Sequence, residues 1–229
     1  MDTFAAWWQL PINWIEPPNE ERGGWSGVGR WQMPGEPSEQ RLLYIKRQQN
    51  HTRFSLWSPC HGTPTFAVEY QMLRYLQKKN ILVPHVVYAG VRQCTEGRQA
   101  ILVTQALAGF IDLAQWMTEH TLANAPELIA AVARAIRQLH AAGIQHRALY
   151  PKHLFVRATD EGYEIAFIDL EKAQPMWLPV WQRWRDIRQL MSRLKGYPDS
   201  VSVQLFDAYA KSDAQCYRRL AWWWIRATL

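Results

Sequence analysis

Four stretches of the chain carry side chains whose types and order suit phosphoryl transfer. Lys46 ends the apolar run LLYI, and Glu69 follows it within TFAVEYQMLRYL. Asp169 closes the apolar run EIAFI in IDL, and HRALYPKHLFV (His146 to Val156) sets two histidines around a loop. Moving a phosphoryl group takes little covalent help from a protein. It takes a cation on the nucleotide phosphates, ligands for a divalent metal, and a group that orients the attacking hydroxyl.

Each feature also has an ordinary reading. An ammonium at a strand end suits α- and β-phosphates, yet most lysines there are simply solvated. Glu69 is expected on the inward side of a helix, able to hold Lys46; taken alone it is a surface glutamate. A carboxylate at the end of a buried strand is costly unless paired or metal-bound, although Asp also commonly starts turns. The stretch GGWSGVG (Gly23 to Gly29) can lay backbone amides against phosphates, with Ser26 and Gly27 as candidate nucleotide contacts. Its glycine spacing departs from GxGxxG. Gln105, at the end of AILVTQ, is a further candidate. What raises the reading above its parts is the order: Gly-rich turn, strand Lys, helix Glu, long helix, His-Arg loop, strand, IDL. A protein kinase presents its catalytic loop, HRDxxxxN, in that same setting. Here Ala148 stands in place of the aspartate and His153 in place of the asparagine.

The elements that must position these residues follow from periodicity. RLLYIKRQ reads as a strand and the residues after it, through Pro64, as a polar loop. TFAVEYQMLRYLQKKN reads as a helix with Phe66, Val68, Met72, Leu73 and Leu76 on one face and Thr65 as its cap. ILVPHVVYAGV and AILVTQAL are strands around the turn QCTEGR, and IDLAQWMTEH is a short helix. PELIAAVARAIRQLHAAG is a longer helix, started by Pro126 and ended by Gly143. HLFVRAT and YEIAFIDL form a hairpin between the loop and Asp169. RWRDIRQLMSRL is amphipathic, with Ile187, Leu190, Met191 and Leu194 inward; Asp186 either braces the His-Arg loop, as a matching aspartate does in kinases, or is simply exposed. Strands dominate the first half and helices the second. The expectation is an α+β, bilobal protein-kinase-like fold, with an N-lobe over 1–107 and a C-lobe over 108–229.

Composition bounds the function classes. The 229 residues are 48% hydrophobic and 20% charged, which describes a folded globular chain, with 13 tryptophans. Cys60, Cys94 and Cys216 show neither metal-ligand spacing nor a disulfide framework, which points to a reducing compartment. MDTFAAWWQLPINW lacks a basic segment followed by an apolar core, and no apolar run approaches the roughly 20 residues that cross a bilayer. A cytoplasmic, soluble chain is expected. Net charge is +6, and from Trp181 to Leu229 nine Lys/Arg face four Asp/Glu. Charge alone is not a nucleic-acid signature, so no specific nucleic-acid partner is expected. The ending RRLAWWWIRATL suits either core packing or a membrane interface.

EPPNEERGGWSGV, LYIKRQQNH, GTPTFAVEY, LVTQALAGFIDLAQW, LYPKHLFV and FIDLEKAQ together resemble the lipopolysaccharide kinase (Kdo/WaaP) family, and within it the InaA-like branch. The resemblance spans about Trp14 to Gln174. It implies a protein-kinase-like fold, ATP and Mg2+ as cofactors, and transfer of the γ-phosphate to heptose or Kdo of the lipopolysaccharide core. The acceptor would be that core or a lipid A-core precursor, met in peripheral contact with the inner membrane. Carried over, Lys46 binds phosphate with Glu69 as its partner, and Asp169 and His153 hold the metal. Ala148 departs from the family's active members, which carry Asp there. That departure opens a second reading, a pseudokinase with a regulatory or envelope-stress role, unless His146 or Glu171 stands in as the base.

Overall fold

The computed structural model describes residues 3–21, 23–35, 38–55, 58–194, 198–211, 219, 221–223 and 225–226. The chain divides into two compact units, one of Met1–Tyr75 with Pro84–Gly109 and one of Leu76–Val83 with Phe110–Leu229.

The first unit opens with α1 (Phe4–Gln9), capped by Thr3, whose Oγ1 accepts from the Ala6 amide. Next come β1 (Asn13–Glu21), β2 (Gly24–Gln32), β3 (Leu42–Gln49), and a hairpin of β4 (Thr52–Ser55) and β5 (Ser58–Pro64). The helix α2 (Thr65–Lys78) follows, its residues from Leu76 on being counted with the second unit, then β6 (Val86–Cys94) and β7 (Gly97–Gln105). Five strands form one antiparallel sheet in the order β1-β2-β3-β7-β6. Two local expectations are corrected. The stretch before Pro64 is not a polar loop throughout: β4 and β5 pair antiparallel, Thr52 with Pro64 and Arg53 with Thr63. Thr65 is not the cap of α2: the Gln48 side chain accepts the Phe66 amide at 3.1 Å and the Thr65 hydroxyl at 2.8 Å, so the strand supplies the cap.

Strand periodicity sorts β3 into two faces. Leu43 and Ile45, with Ile101 and Val103 from β7 and Trp7 from α1, make a buried apolar cluster. Arg47 continues that face, and its guanidinium donates to the Trp7 and Leu10 carbonyls at 2.6 Å each, tying the N-terminal segment to the sheet. Burial lowers the pKa of Arg47 without threatening its charge. The other face of β3 carries Lys46 and Gln48 towards α2.

In the second unit, β8 (Ile111–Asp112) leads into α3 (Leu113–Glu119), capped by Asp112. Then α4 (Pro126–Ala141) buries a stripe from Leu128 to His140, with Pro126 in its first turn. Gly143, at φ +78°, ends that helix in the left-handed region that favours glycine. The chain continues through β9 (Ile144–Gln145), β10 (Leu154–Thr159), β11 (Gly162–Phe167), β12 (Gln174–Pro175), α5 (Pro179–Met191) and α6 (Asp199–Ala210). β10 and β11 form the hairpin between loop and IDL, with β8 on the far side of β10. β9 pairs with β12, closing the chain on either side of the loop and hairpin.

Of the tail, Ala221 and Ile225 are buried and Trp222 packs on Phe206 at 4.9 Å, while Trp223 is 70% exposed. Trp224 and Cys216 lie outside the described residues, as does the side chain of Cys60. The Cys94 thiol donates to the Gly97 carbonyl. Among the described residues no helix is long and apolar enough to cross a membrane.

Candidate active site

In the sheet unit, Lys46 and Glu69 are one pair. Lys46 Nζ lies 2.7 Å from both Glu69 oxygens. The pairing follows from the faces already described: β3 aims Lys46 at α2, and Glu69, one turn after Thr65, points back at it. Glu69 is buried and the lysine side chain only 18% exposed, with its ammonium 5.7 Å from the centre of the Phe66 ring. So little exposure costs two charges their hydration, and the pairing offsets that cost. The outcome is an ammonium held in one place by a carboxylate that α2 fixes.

The Gly-rich stretch is arranged differently from its expected form. The reversal runs from Glu21 to Gly24, while Ser26 and Gly27 lie inside β2, paired with Gln48 and Arg47. A side chain on Gly27 would meet the Trp14 ring at 2.8 Å and the Glu16 carbonyl at 3.1 Å. Glycine is needed there because β1 and an indole crowd the strand. Ser26 is half-buried, as is Gln105 at the end of β7.

In the helical unit, the loop after β9 is gripped from α5. Asp186, 1% exposed, accepts the His146 amide at 2.7 Å on Oδ2 and the Arg147 amide at 2.9 Å on Oδ1. His140 Nε2 donates to Oδ2 at 3.2 Å and receives the Tyr209 hydroxyl on Nδ1. One turn further along α5, Gln189 Oε1 accepts the Leu149 amide at 2.8 Å. These bonds hold Arg147 at φ +65°, a left-handed conformation that costs a bulky residue about 1–3 kcal/mol and persists where its surroundings over-determine it. Asp169 is also left-handed, at φ 57° and ψ 58°, a region that Asp enters more readily than bulky residues. His140 and Gln189 left no signal in the sequence. Asp186 did, as an aspartate whose place in RWRDIRQLMSRL matches one that braces the catalytic loop in kinases.

The two loop histidines differ in what their ring nitrogens leave over. His146 Nε2 donates to the Ile168 carbonyl at 3.1 Å, and Nδ1 receives the Ala148 amide at 3.3 Å. Complete burial pushes its pKa down to about 4, so the ring is neutral with both nitrogens engaged. No lone pair remains to take a hydroxyl proton. In this arrangement His146 ties the loop to the strand end at Ile168. His153 Nδ1 donates to the Ala148 carbonyl at 2.7 Å, which leaves Nε2 turned to Asp169 Oδ2 at 3.3 Å. A neutral imidazole in that tautomer presents a lone pair to a carboxylate lone pair. Two acceptors facing each other call for a cation, either a proton on the ring or a metal.

His153 and Asp169 thus suit a divalent ion as a nitrogen–oxygen pair. Magnesium prefers oxygen but takes few protein ligands and completes its shell with water and substrate phosphate. Among the described residues no group of three or more His, Cys, Asp or Glu converges on a metal position. Ala148 is 2% exposed and adds no polar group. Glu171 is half-buried on the single 3-10 turn Leu170–Lys172, two residues after Asp169.

Comparison with known proteins bears on both units. The profile of the lipopolysaccharide kinase (Kdo/WaaP) family matches residues 5–211. Protein InaA of Escherichia coli (strain K12) is 31% identical over 202 residues, 86% of this chain and 90% of that one. The lipopolysaccharide core heptose(I) kinase WaaP of Pseudomonas aeruginosa is 30% identical over 129 residues, 52% of this chain and 47% of the kinase. A 3-deoxy-D-manno-octulosonic acid kinase of Vibrio vulnificus is 26% identical over 141 residues, 62% of this chain and 56% of its own. The chain therefore spans about half of each of these two kinases. Among solved structures, WaaP in complex with acyl carrier protein superposes with a TM-score of 0.74 at 21% identity, over 99% of this chain and 91% of that one. That likeness shows a kinase-like α+β fold.

Proposed function

Because the chain belongs to the lipopolysaccharide kinase (Kdo/WaaP) family, we propose that it is a kinase-like protein that binds ATP with magnesium and takes a heptose or Kdo sugar of the lipopolysaccharide inner core as acceptor. The observation that carries this reading is the 2.7 Å Lys46–Glu69 pair, a desolvated cation kept in place where a phosphate can use it. Lys46 is assigned to the nucleotide phosphates, with Ser26 and Gln105 as the further contacts. His153 and Asp169 are assigned to the metal. Magnesium, when bound, neutralises charge on the phosphate oxygens. Lys46 orients the phosphates, Asp186 and Gln189 keep the loop in register, and His153 is held by Ala148 to face Asp169. Glu171 is the remaining candidate for a base.

The second reading is a pseudokinase that binds nucleotide or a partner in a regulatory or envelope-stress role. It is favoured by Ala148, whose methyl neither accepts a proton nor orients a hydroxyl, and by His146, which has no lone pair to lend. General-base help is worth about 10²–10⁴-fold, so its loss leaves a slow enzyme or none.

Calorimetric titration with ATP, with and without magnesium, tests the shared core of both readings. Magnesium-dependent binding is expected. Lys46→Met should weaken it at least about tenfold, the scale of one charge-assisted hydrogen bond, and Asp169→Asn should remove its magnesium dependence. Equal ATP affinity in wild type and Lys46→Met would overturn the assignment.

A further inference from the structure

A second set of side chains around the His-Arg loop is not used by the nucleotide reading. A cavity of about 300 Å³ in the helical unit is lined by Arg147 and Tyr150 from the loop and by Arg185, Arg188, Ser192 and Arg193 from α5 and the residues after it. Four arginines and one carboxylate, Asp186, line it, and the Asp186 oxygens accept the His146 and Arg147 amides. Arginines gathered around one cavity give it a positive potential that attracts anions.

The hydrogen-bond network fixes where donors point. Gln189 Oε1 accepts the Leu149 amide, so its amide nitrogen is the atom 2.9 Å from the Tyr150 oxygen and donates to it. The Tyr150 hydroxyl hydrogen is thereby directed away from Gln189. The Tyr150 ring carries the Arg193 guanidinium at 5.0 Å, which steadies that arginine at the rim. Arg147 is set by the strained backbone that Asp186 maintains and donates to Gln174 Oε1 at 3.1 Å. The cavity has room for a ring-sized ligand. On α5, Trp181, 58% exposed, lies one turn before Arg185, beside the same row of residues.

We propose that this cavity binds a phosphomonoester, the phosphate taken by Arg147, Arg185, Arg188 and Arg193 with the Tyr150 hydroxyl as a further donor. A carboxylate needs one guanidinium fork, whereas a phosphomonoester brings close to two charges and three terminal oxygens, which can engage several forks. The group can arrive on a soluble sugar phosphate or on a lipid headgroup, and the exposed indole of Trp181 fits either a sugar ring or a membrane interface. The site does not depend on the nucleotide reading, since Lys46 belongs to the other unit and lines no part of it.

The test is calorimetric titration of the full chain with mannose 6-phosphate and with mannose, beside sedimentation with phosphatidylcholine vesicles with and without phosphatidic acid. Binding of the sugar phosphate and not of mannose would assign the soluble source, and sedimentation only with phosphatidic acid would assign the lipid source. Either supports the site, provided the double variant Arg185→Ala/Arg193→Ala weakens it by about tenfold or more. Arg74→Ala, an exposed arginine on α2, and Lys46→Met should leave it unchanged. Arg185 and Arg193 are solvent-exposed, so circular dichroism should report an intact fold. Arg185→Lys, which keeps charge but not the fork, should fall between. The proposal is overturned if neither probe binds, if the double variant binds as wild type does, or if Lys46→Met, with its fold intact by circular dichroism, abolishes binding, which would place the anion in the nucleotide site.

Discussion

His146 shows how much a residue's neighbours decide about its chemistry. Its type and its place beside Arg147 suggest an acid–base group; full burial between the Ile168 carbonyl and the Ala148 amide makes it a neutral tie. Its titration predicts a pH dependence. The unfolded ring takes a proton near its ordinary 6.5 and the folded ring only near 4. The unfolded state therefore binds more protons between these values, and stability rises with pH across that window. The contribution is complete above about 6.5 and is lost as pH falls towards 4, on the order of 3 kcal/mol in all. Thermal melts between pH 7 and 4 should show this loss in wild type and a flatter profile in His146→Gln. Parallel profiles would show that other groups govern acid sensitivity. His153 could not be told from His146 by type; the Ala148 carbonyl, by claiming Nδ1, is what turns its other nitrogen to Asp169.

At the scale of elements, α5 acts on the loop through a side chain. The pattern of Ile187, Leu190 and Met191 marks the buried face of α5, and Asp186 is buried beside them because three donors meet it. Asp186→Ala should leave the His146 and Arg147 amides unsatisfied in the interior. At about 1–3 kcal/mol for each abandoned group, the cost is several kcal/mol. Asp186→Asn keeps the shape and one acceptor, so its melting temperature should lie between those of Asp186→Ala and wild type. Equal melting of wild type and Asp186→Ala would mean that the loop does not rely on α5. In the sheet unit, the inward face of α2 was legible from its spacing, but its cap was not. Gln48 is 17 residues before Thr65, and only the fold brings a strand side chain to the helix start.

At the scale of the molecule the question is whether a kinase-like chain lacking its loop aspartate turns over substrate. Ala148 is almost wholly buried, so Ala148→Asp sets a carboxylate in a poorly hydrated place and should lower the melting temperature. It should leave ATP affinity intact and raise transfer to core lipopolysaccharide by about 10²-fold or more, the lower end of general-base catalysis. A phosphate-release or radiolabel transfer assay reads this directly. Transfer that stays at background, with ATP binding preserved, would favour the pseudokinase reading.

By itself the sequence determined the α+β class and the order of the main strands and helices, and it offered Lys46 and Glu69 as candidate partners. Those follow from local periodicity and from the spacing between a strand end and the next helix, both written in neighbouring residues. It did not reveal α1, whose anchor is Arg47, about 40 residues distant, reaching the Trp7 and Leu10 carbonyls. Nor did it reveal that Gly27 makes way for Trp14, that His146 is proton-locked, or that arginines from the loop and α5 surround one cavity. Each of these depends on burial, or on partners far apart along the chain. Such quantities come into being only when the chain has folded and water has been excluded from the spaces between its elements.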